Sequence, residues 1–274
     1  MIRAAGHYDG GMRVRLMGIL NVTPDSFSDG GLYPTLQAAV DGAHRLIEDG
    51  AEIVDIGGES TRPEAEPVSE EIELRRVMPV VEALAAEGRA RISIDTMKPG
   101  VAAACLNAGA SLLNDVTGLR DPRMAEIAAR YGAGVVVMHM RGTPQTMRGE
   151  TQYEDVVGEA KAELAARVGL ARSRGIAEVY VDPGIGFAKN AGQSFEILAR
   201  LREFEELGCP ILVGPSRKSF LGTLHGMENV EDRLEGTVAA AVIAAMNGAA
   251  VIRVHDVRAC RKALAVVEAV LARQ

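Results

Sequence analysis

Two apolar runs, ISID and SLLND, close on polar side chains that include Asp95 and Asn114. A carboxylate beside an amide suits a ligand whose edge alternates hydrogen-bond donors and acceptors. A third run ends in VYVDPGIGFAKN, where Asp182 precedes Pro183 and two glycines, so the chain bends away and leaves the carboxylate presented. Phe187 sits in that glycine-rich loop, placed to lie against a ring. Cations come from two further strings. In ILVGPSRKSFLG, residues Ser216, Arg217, Lys218 and Ser219 stand where a helix is expected to begin, and free backbone N–H groups with two cations there predict an anion site. In VIRVHDV, strand alternation puts Arg253 and His255 on one side and Val254 on the other, which predicts a second anion site. Thr61 and Arg62, in GGESTRPEAEPVS, add a hydroxyl and a planar fork suited to phosphate or carboxylate. A long polar loop leaves Asn21 and passes Thr23, Asp25, Ser26, Phe27, Ser28 and Asp29 before a helical pattern resumes near Thr35. Loops of that length on a rigid strand tend to carry function.

These residues need a frame that gathers them, and the hydrophobic pattern supplies one. Short apolar runs recur at Val14–Leu20, Glu52–Ile56, Arg91–Ile94, Ser111–Leu113, Gly134–Met138, Glu178–Val181, Pro210–Val213 and Ala250–Val254. Between them apolar residues recur at helical spacing, for instance from Leu36 to Ile47, Ile72 to Leu84, Val156 to Leu170 and Phe195 to Phe204. Gly50, Gly88, Gly109, Gly132, Gly175, Gly208 and Gly248 each stand just before a strand, where glycine accepts the left-handed conformation that ends a helix. The repeating unit of strand, loop, helix and glycine predicts a single eight-stranded parallel βα barrel, of the TIM-barrel type, spanning residues 1–274 with 1–13 as a lead-in over its floor. A doubly wound open sheet is the alternative, but no glycine-rich dinucleotide fingerprint follows the first strand. Asn21, Asp55, Asp95, Asn114 with Asp115, His139, Asp182, Ser216 and Arg253 with His255 mark the eight strand ends, which converge on one face in such a barrel. Asp55, Asp115 and His139 suit helix capping equally well.

Composition narrows the partners. A net charge of −7 without basic clusters argues against nucleic acid, and any anionic ligand must be met locally. Cys105, Cys209 and Cys260 are odd in number and widely spaced in apolar contexts, which suits buried thiols in a reducing cytoplasm. The N-terminal MIRAAGHYDGGMRVRL has no signal-peptide core, and no apolar run reaches membrane-spanning length. The run VAAAVIAAM, Val238 to Met246, is apolar on every face, and with Ala263, Ala265, Val266, Val267 and Ala269 of the last helix it predicts a surface covered in a homodimer.

The string MGILNVTPDSFSDGG closely resembles the first signature of the dihydropteroate synthases, folate-pathway enzymes that join a dihydropterin to 4-aminobenzoate. The resemblance continues through STRP, DT-KP, ND, MHM, DPG-GF-K, SRKS and RVHD, from about Arg15 to Val270. It implies condensation of 6-hydroxymethyl-7,8-dihydropterin pyrophosphate with 4-aminobenzoate, and a Mg²⁺ ion held by Asn21. Thr61, Arg253 and His255 would hold the pyrophosphate, while Asp95, Asn114, Asp182 and Lys218 match the pterin-binding set. Ser219 would take the aminobenzoate carboxylate, with Phe27, Arg62, Pro63 and Phe187 around its ring. Asp95, Lys218, Arg253 and His255 would act in catalysis, and Thr23, Asp25, Ser26, Ser28 and Asp29 would order the first loop. Three positions depart from the family pattern: Glu64 and Ala188 stand where glycine is usual, and Pro215 precedes SRKS. Two neighbouring readings share such a pocket: a pterin-binding paralogue without synthase activity, and a methyltetrahydrofolate-dependent methyltransferase.

Overall fold

A computed structural model describes residues 13–23, 35–61 and 65–273. Eight parallel strands close in sequence order into a barrel: β1 Arg15–Asn21, β2 Ile53–Gly57, β3 Arg91–Asp95, β4 Leu112–Asp115, β5 Gly134–Met138, β6 Val179–Asp182, β7 Ile211–Val213 and β8 Ala249–Val254. Helices α1 Leu36–Glu48, α2 Glu70–Glu87, α3 Pro99–Asn107, α4 Pro122–Arg130, α5 Val156–Ser173, α6 Ala191–Ala199, α7 Leu234–Met246 and α8 Val257–Leu271 alternate with them. The expected barrel is therefore the fold.

Local chemistry sets the element ends. Thr35, Ser69 and Asn190 accept hydrogen bonds from first-turn N–H groups of α1, α2 and α6, which satisfies donors a helix start leaves open. All seven glycines expected before strands have positive φ, from 61° to 118°. The pattern from Phe195 to Phe204 is broken: α6 stops at Ala199 and a 3₁₀ segment, Leu201–Leu207, completes the unit.

Side-chain alternation divides each strand between two cores. Leu16, Val54, Ile56, Ile94, Leu113, Val137, Val181 and Val254 face the helices in the large outer core. Met17, Ile53, Leu112, Val136, Tyr180, Leu212 and Val251 fill the barrel interior as one layer. Two residues further along β4, β6 and β8, and four along β1, the same inward face carries Asn114, Asp182, Arg253 and Asn21, and Asp95 of β3 stands in register with Asn114. The interior layer thus plugs the barrel below and leaves a polar mouth above, at the C-terminal strand ends.

Candidate active site at the barrel mouth

Arg253 is the hub of the mouth. Its Nε donates to Asp55 Oδ2 at 2.6 Å and its Nη2 to Asp95 Oδ2 at 2.7 Å, which ties β8 to β2 and β3. Asn114 Nδ2 donates to the same Asp55 oxygen at 3.0 Å and brings in β4. Burial works against the Arg253 charge, but Asp55 and Asp95 outweigh it and hold its pKa above the ordinary value. For Asp95, burial dominates and pushes the carboxyl up to about 7, with Arg253 opposing and Asp55 reinforcing the shift. Asp55 Oδ1 and the neighbouring Ser93 Oγ, both buried, have no hydrogen-bond partner among the described residues. Asn21 Oδ1 and Asp95 Oδ2 lie 3.7 and 3.8 Å from where a Cβ on Gly57 would stand, so the two side chains meet over that glycine.

The opposite wall is built from the loops after β6 and β7. Asp182 Oδ1 accepts the Gly184 N–H at 2.7 Å, which fixes the turn that presents the carboxylate. Lys218 donates to the Ile185 carbonyl and holds its ammonium 4.4 Å from the centre of the Phe187 ring. Burial raises the Asp182 pKa against the pull of Lys218, and lowers Lys218 to about 8 against the pull of Asp182. Phe187 also packs with Met97 against a patch of Val116, Met138, Met140, Met147 and Ala188. Sequence reading missed that apolar wall; the MHM string was its one visible trace. Nearby, the Ser216 hydroxyl lies 2.9 Å from His255 Nδ1 and accepts the His255 backbone N–H at 3.2 Å.

Several expectations change on this geometry. No α-helix starts at Ser216: Arg217 has φ 55°, which a helix cannot contain, and two short 3₁₀ segments, Leu221–Thr223 and Glu231–Arg233, follow before α7 at Leu234. Arg217 turns its guanidinium to Asp256, at 2.9 and 2.6 Å, so of the two expected cations Lys218 alone serves the mouth. Ser219 is exposed in the intervening turn. Asp115 caps its own loop by accepting from Thr117 N–H and hydroxyl and from Leu119 N–H. His139 lies on the side of Lys189 and Glu163, one position beyond the inward-facing Met138. Asp55, which suited capping equally well, is a full member of the site. Phe27, Arg62, Pro63, Glu64 and the loop positions Asp25, Ser26, Ser28 and Asp29 fall outside the described residues. Ala188, at one of the departures from the family pattern, adopts φ 49°. That conformation costs a non-glycine residue roughly 1–2 kcal/mol.

Residues 17–255 match the family model described as pterin binding enzyme. A dihydropteroate synthase of Escherichia coli is 48% identical over 258 residues, covering 93% of this chain and 91% of that one. The chain belongs to the dihydropteroate synthase family of pterin-binding enzymes. Among solved structures, Xanthomonas albilineans dihydropteroate synthase with 4-aminobenzoic acid superposes with a TM-score of 0.89 at 47% identity, covering 94% and 93% of the two chains. The same enzyme in complex with 7,8-dihydropteroate gives a TM-score of 0.85 at 45% identity, covering 94% of each chain.

Proposed function

We propose that this protein condenses 6-hydroxymethyl-7,8-dihydropterin pyrophosphate with 4-aminobenzoate, releasing 7,8-dihydropteroate and pyrophosphate. The observation that carries the reading is the arginine hub: one guanidinium spans two carboxylates beside an amide, opposite a second carboxylate–lysine pair. Asp182 and Asn114 complement the donor and acceptor edge of a pterin, and Lys218 sits at the junction with the Phe187 wall. The Arg253 Nη1 has no partner among the described residues, so an anionic leaving group can engage it without breaking either carboxylate pair.

An arylamine is a weak nucleophile, so expulsion of pyrophosphate precedes its attack. The electron-rich dihydropterin then carries a resonance-stabilised methylene cation. The Asp95 carboxylate faces that cation, while Arg253 and His255 meet the departing charge, with Thr61 beside them. Ser219 receives the aminobenzoate carboxylate, and Phe27, Arg62, Pro63 and Phe187 close around its ring.

Among the described residues, no cluster of three or more His, Cys, Asp or Glu side chains is arranged to hold a metal. The single amide oxygen of Asn21, poised over Gly57, fits a Mg²⁺ ion that takes most of its ligands from substrate phosphate and water. Such an ion, when bound, supplies further charge stabilisation to the leaving pyrophosphate.

The protein is proposed to work as a homodimer in the cytoplasm. Ile243 and Met246 on α7 and Val266 and Val270 on the adjoining α8 are exposed, at 46%, 51%, 65% and 52%, an apolar surface suited to a second copy. Sedimentation showing only monomer at micromolar concentration refutes this part. The three cysteines are buried and free, as a reducing setting allows, and among the described residues no helix is long and apolar enough to cross a membrane.

Release of pyrophosphate that requires 4-aminobenzoate tests the whole reading. A paralogue that only binds pterin gives none, and a methyltransferase responds to methyltetrahydrofolate instead.

A further inference from the structure

Lys189 ends the loop that begins at Asp182, yet its ammonium lies behind that loop, 8% exposed. It is 2.8 Å from His139 Nδ1, 3.0 Å from the Phe187 carbonyl oxygen and 3.4 Å from the His139 carbonyl oxygen. An ammonium has three N–H donors, and these three acceptors occupy them all. With the ammonium as donor, His139 accepts at Nδ1 and carries its ring proton on Nε2, which lies 3.2 Å from Glu163 Oε2 without a hydrogen bond to it. The loop so held is strained at one point and closely packed at another. Ala188 takes the left-handed conformation that its side chain disfavours, and Gly184 is pressed so closely on the His139 carbonyl oxygen that a Cβ there would lie 1.9 Å from it. Phe187 is thus gripped on both sides: Lys189 holds its carbonyl and Lys218 lies over its ring.

We propose that Lys189, oriented by His139, is a positioning residue that clamps the Asp182–Lys189 loop and so fixes Phe187 as the wall against the 4-aminobenzoate ring. This rests on the synthase reading above. The groups facing the ammonium come from every surrounding element. They are Asp182 from β6, Lys218 from the loop after β7, Glu163 from α5, and His139, Arg141 and Tyr153 from the end of β5 and the loop beyond it. Burial dominates among them and lowers the Lys189 pKa to about 7, with Asp182 and Glu163 opposing and Lys218 and Arg141 reinforcing. A neutral amine has one N–H fewer, so the clamp loosens as pH rises through that value.

The test is Lys189→Met in the full chain, with steady-state kinetics in both substrates between about pH 6 and about pH 8.5. At the acid end, the KM for 4-aminobenzoate should rise about fivefold or more while that for the dihydropterin pyrophosphate stays within about twofold. In the wild-type protein the 4-aminobenzoate KM should climb with pH through neutrality more steeply than in Lys189→Met, where it starts high and keeps only the slope that Asp95 and Lys218 impose. Asp95 and Lys218 titrate in both proteins, so the difference isolates Lys189. In an Ala188→Gly background, where the loop no longer resists its conformation, Lys189→Met should raise that KM less. Equal changes in both KM values, a pH slope as steep in Lys189→Met as in the wild-type protein, or a lowered Tm with unchanged KM overturns the clamp. Wild-type protein without 4-aminobenzoate-dependent pyrophosphate release refutes the synthase reading alone. The clamp then stands or falls on substrate-free amide hydrogen exchange at Phe187 and Ala188, which must quicken in Lys189→Met, or in Ala188→Gly at high pH should the first variant not fold; unchanged exchange overturns it.

Discussion

The floor and the mouth of this barrel use the same kinds of side chain to opposite ends. On the floor, Arg91 grips both oxygens of Glu178 at 2.6 Å, Tyr180 donates to Glu178 at 2.6 Å, and Arg15 donates to the Tyr180 hydroxyl at 2.6 Å. Arg91 also donates to the Ser111 hydroxyl and carbonyl, at 3.1 and 2.9 Å. Although burial opposes it, Arg91 and Tyr180 hold Glu178 below its ordinary pKa, so this cluster on the floor stays ionised and satisfied. In the mouth, one guanidinium serves two carboxylates, a buried carboxylate oxygen lacks a partner among the described residues, and Asp95 and Lys218 are both displaced towards neutrality. A saturated network stabilises a fold, whereas an undersatisfied one holds binding capacity in reserve for a ligand that completes it.

The sharpest way to break this contrast is Asp95→Asn. It should lower turnover on the order of a hundredfold, as loss of one electrostatic stabiliser does, with pterin binding little changed. Steady-state kinetics and calorimetry decide, and near-wild-type turnover removes Asp95 from the mechanism. The same variant has a pH signature. An unfolded aspartate titrates near its usual value of about 4, while Asp95 in the fold titrates at about 7. Between these the folded state binds the extra proton, so this group's contribution to stability falls as pH rises through that window. Asp95→Asn should flatten that fall in a Tm series.

Arg91→Met addresses the floor. It should cost about 1.5–3 kcal/mol of stability, the range for hydrogen bonds to charged partners, and leave turnover below the transition unchanged. A large loss of turnover at intact stability would mean that floor and mouth are coupled. Next in size, Arg253→Ala should weaken binding of the pyrophosphate-bearing substrate about tenfold or more while sparing 4-aminobenzoate, as two separate calorimetric titrations would show. The smallest effect is expected from Ala188→Gly. Relief of the left-handed strain is partly offset by the freedom glycine gains in the unfolded chain, for a net gain of up to about 1 kcal/mol in denaturant unfolding.

Much of the frame was legible because it depends on local rules. Short apolar runs placed every strand, with side chains alternating between its two faces, and glycine before strands marked helix ends by the positive φ each then showed. The same alternation put Arg253 and His255 on one face and buried Val254 on the other. Local rules fail where a partner lies far along the chain. Asp55 belongs to the site because Arg253, 198 residues away, reaches it. The expected helix at Ser216 is absent because Arg217 pairs with Asp256, 39 residues on, from a backbone conformation no propensity predicts. Asp115 and His139 show the remaining limit. At a strand end, a shift of one residue moves a side chain from the mouth to the outer side, and spacing alone does not say where the strand stops.

The strand β7 is three residues long and meets β6 through a single residue pair, Val181 with Ile211, while its register to β8 shifts at Ile211 and Leu212. A ring of strands is as cohesive as its thinnest joint, and this one joins the two segments that bear Asp182 and Lys218. Transient local opening should therefore begin here rather than at the densely laddered β1–β2 pair, whose register spans five residues. Breathing of the ring would then part Asp182 from Lys218 within the wall they share, giving bulky reactants a way in and products a way out while Arg253 keeps its bonds to Asp55 and Asp95 across the mouth.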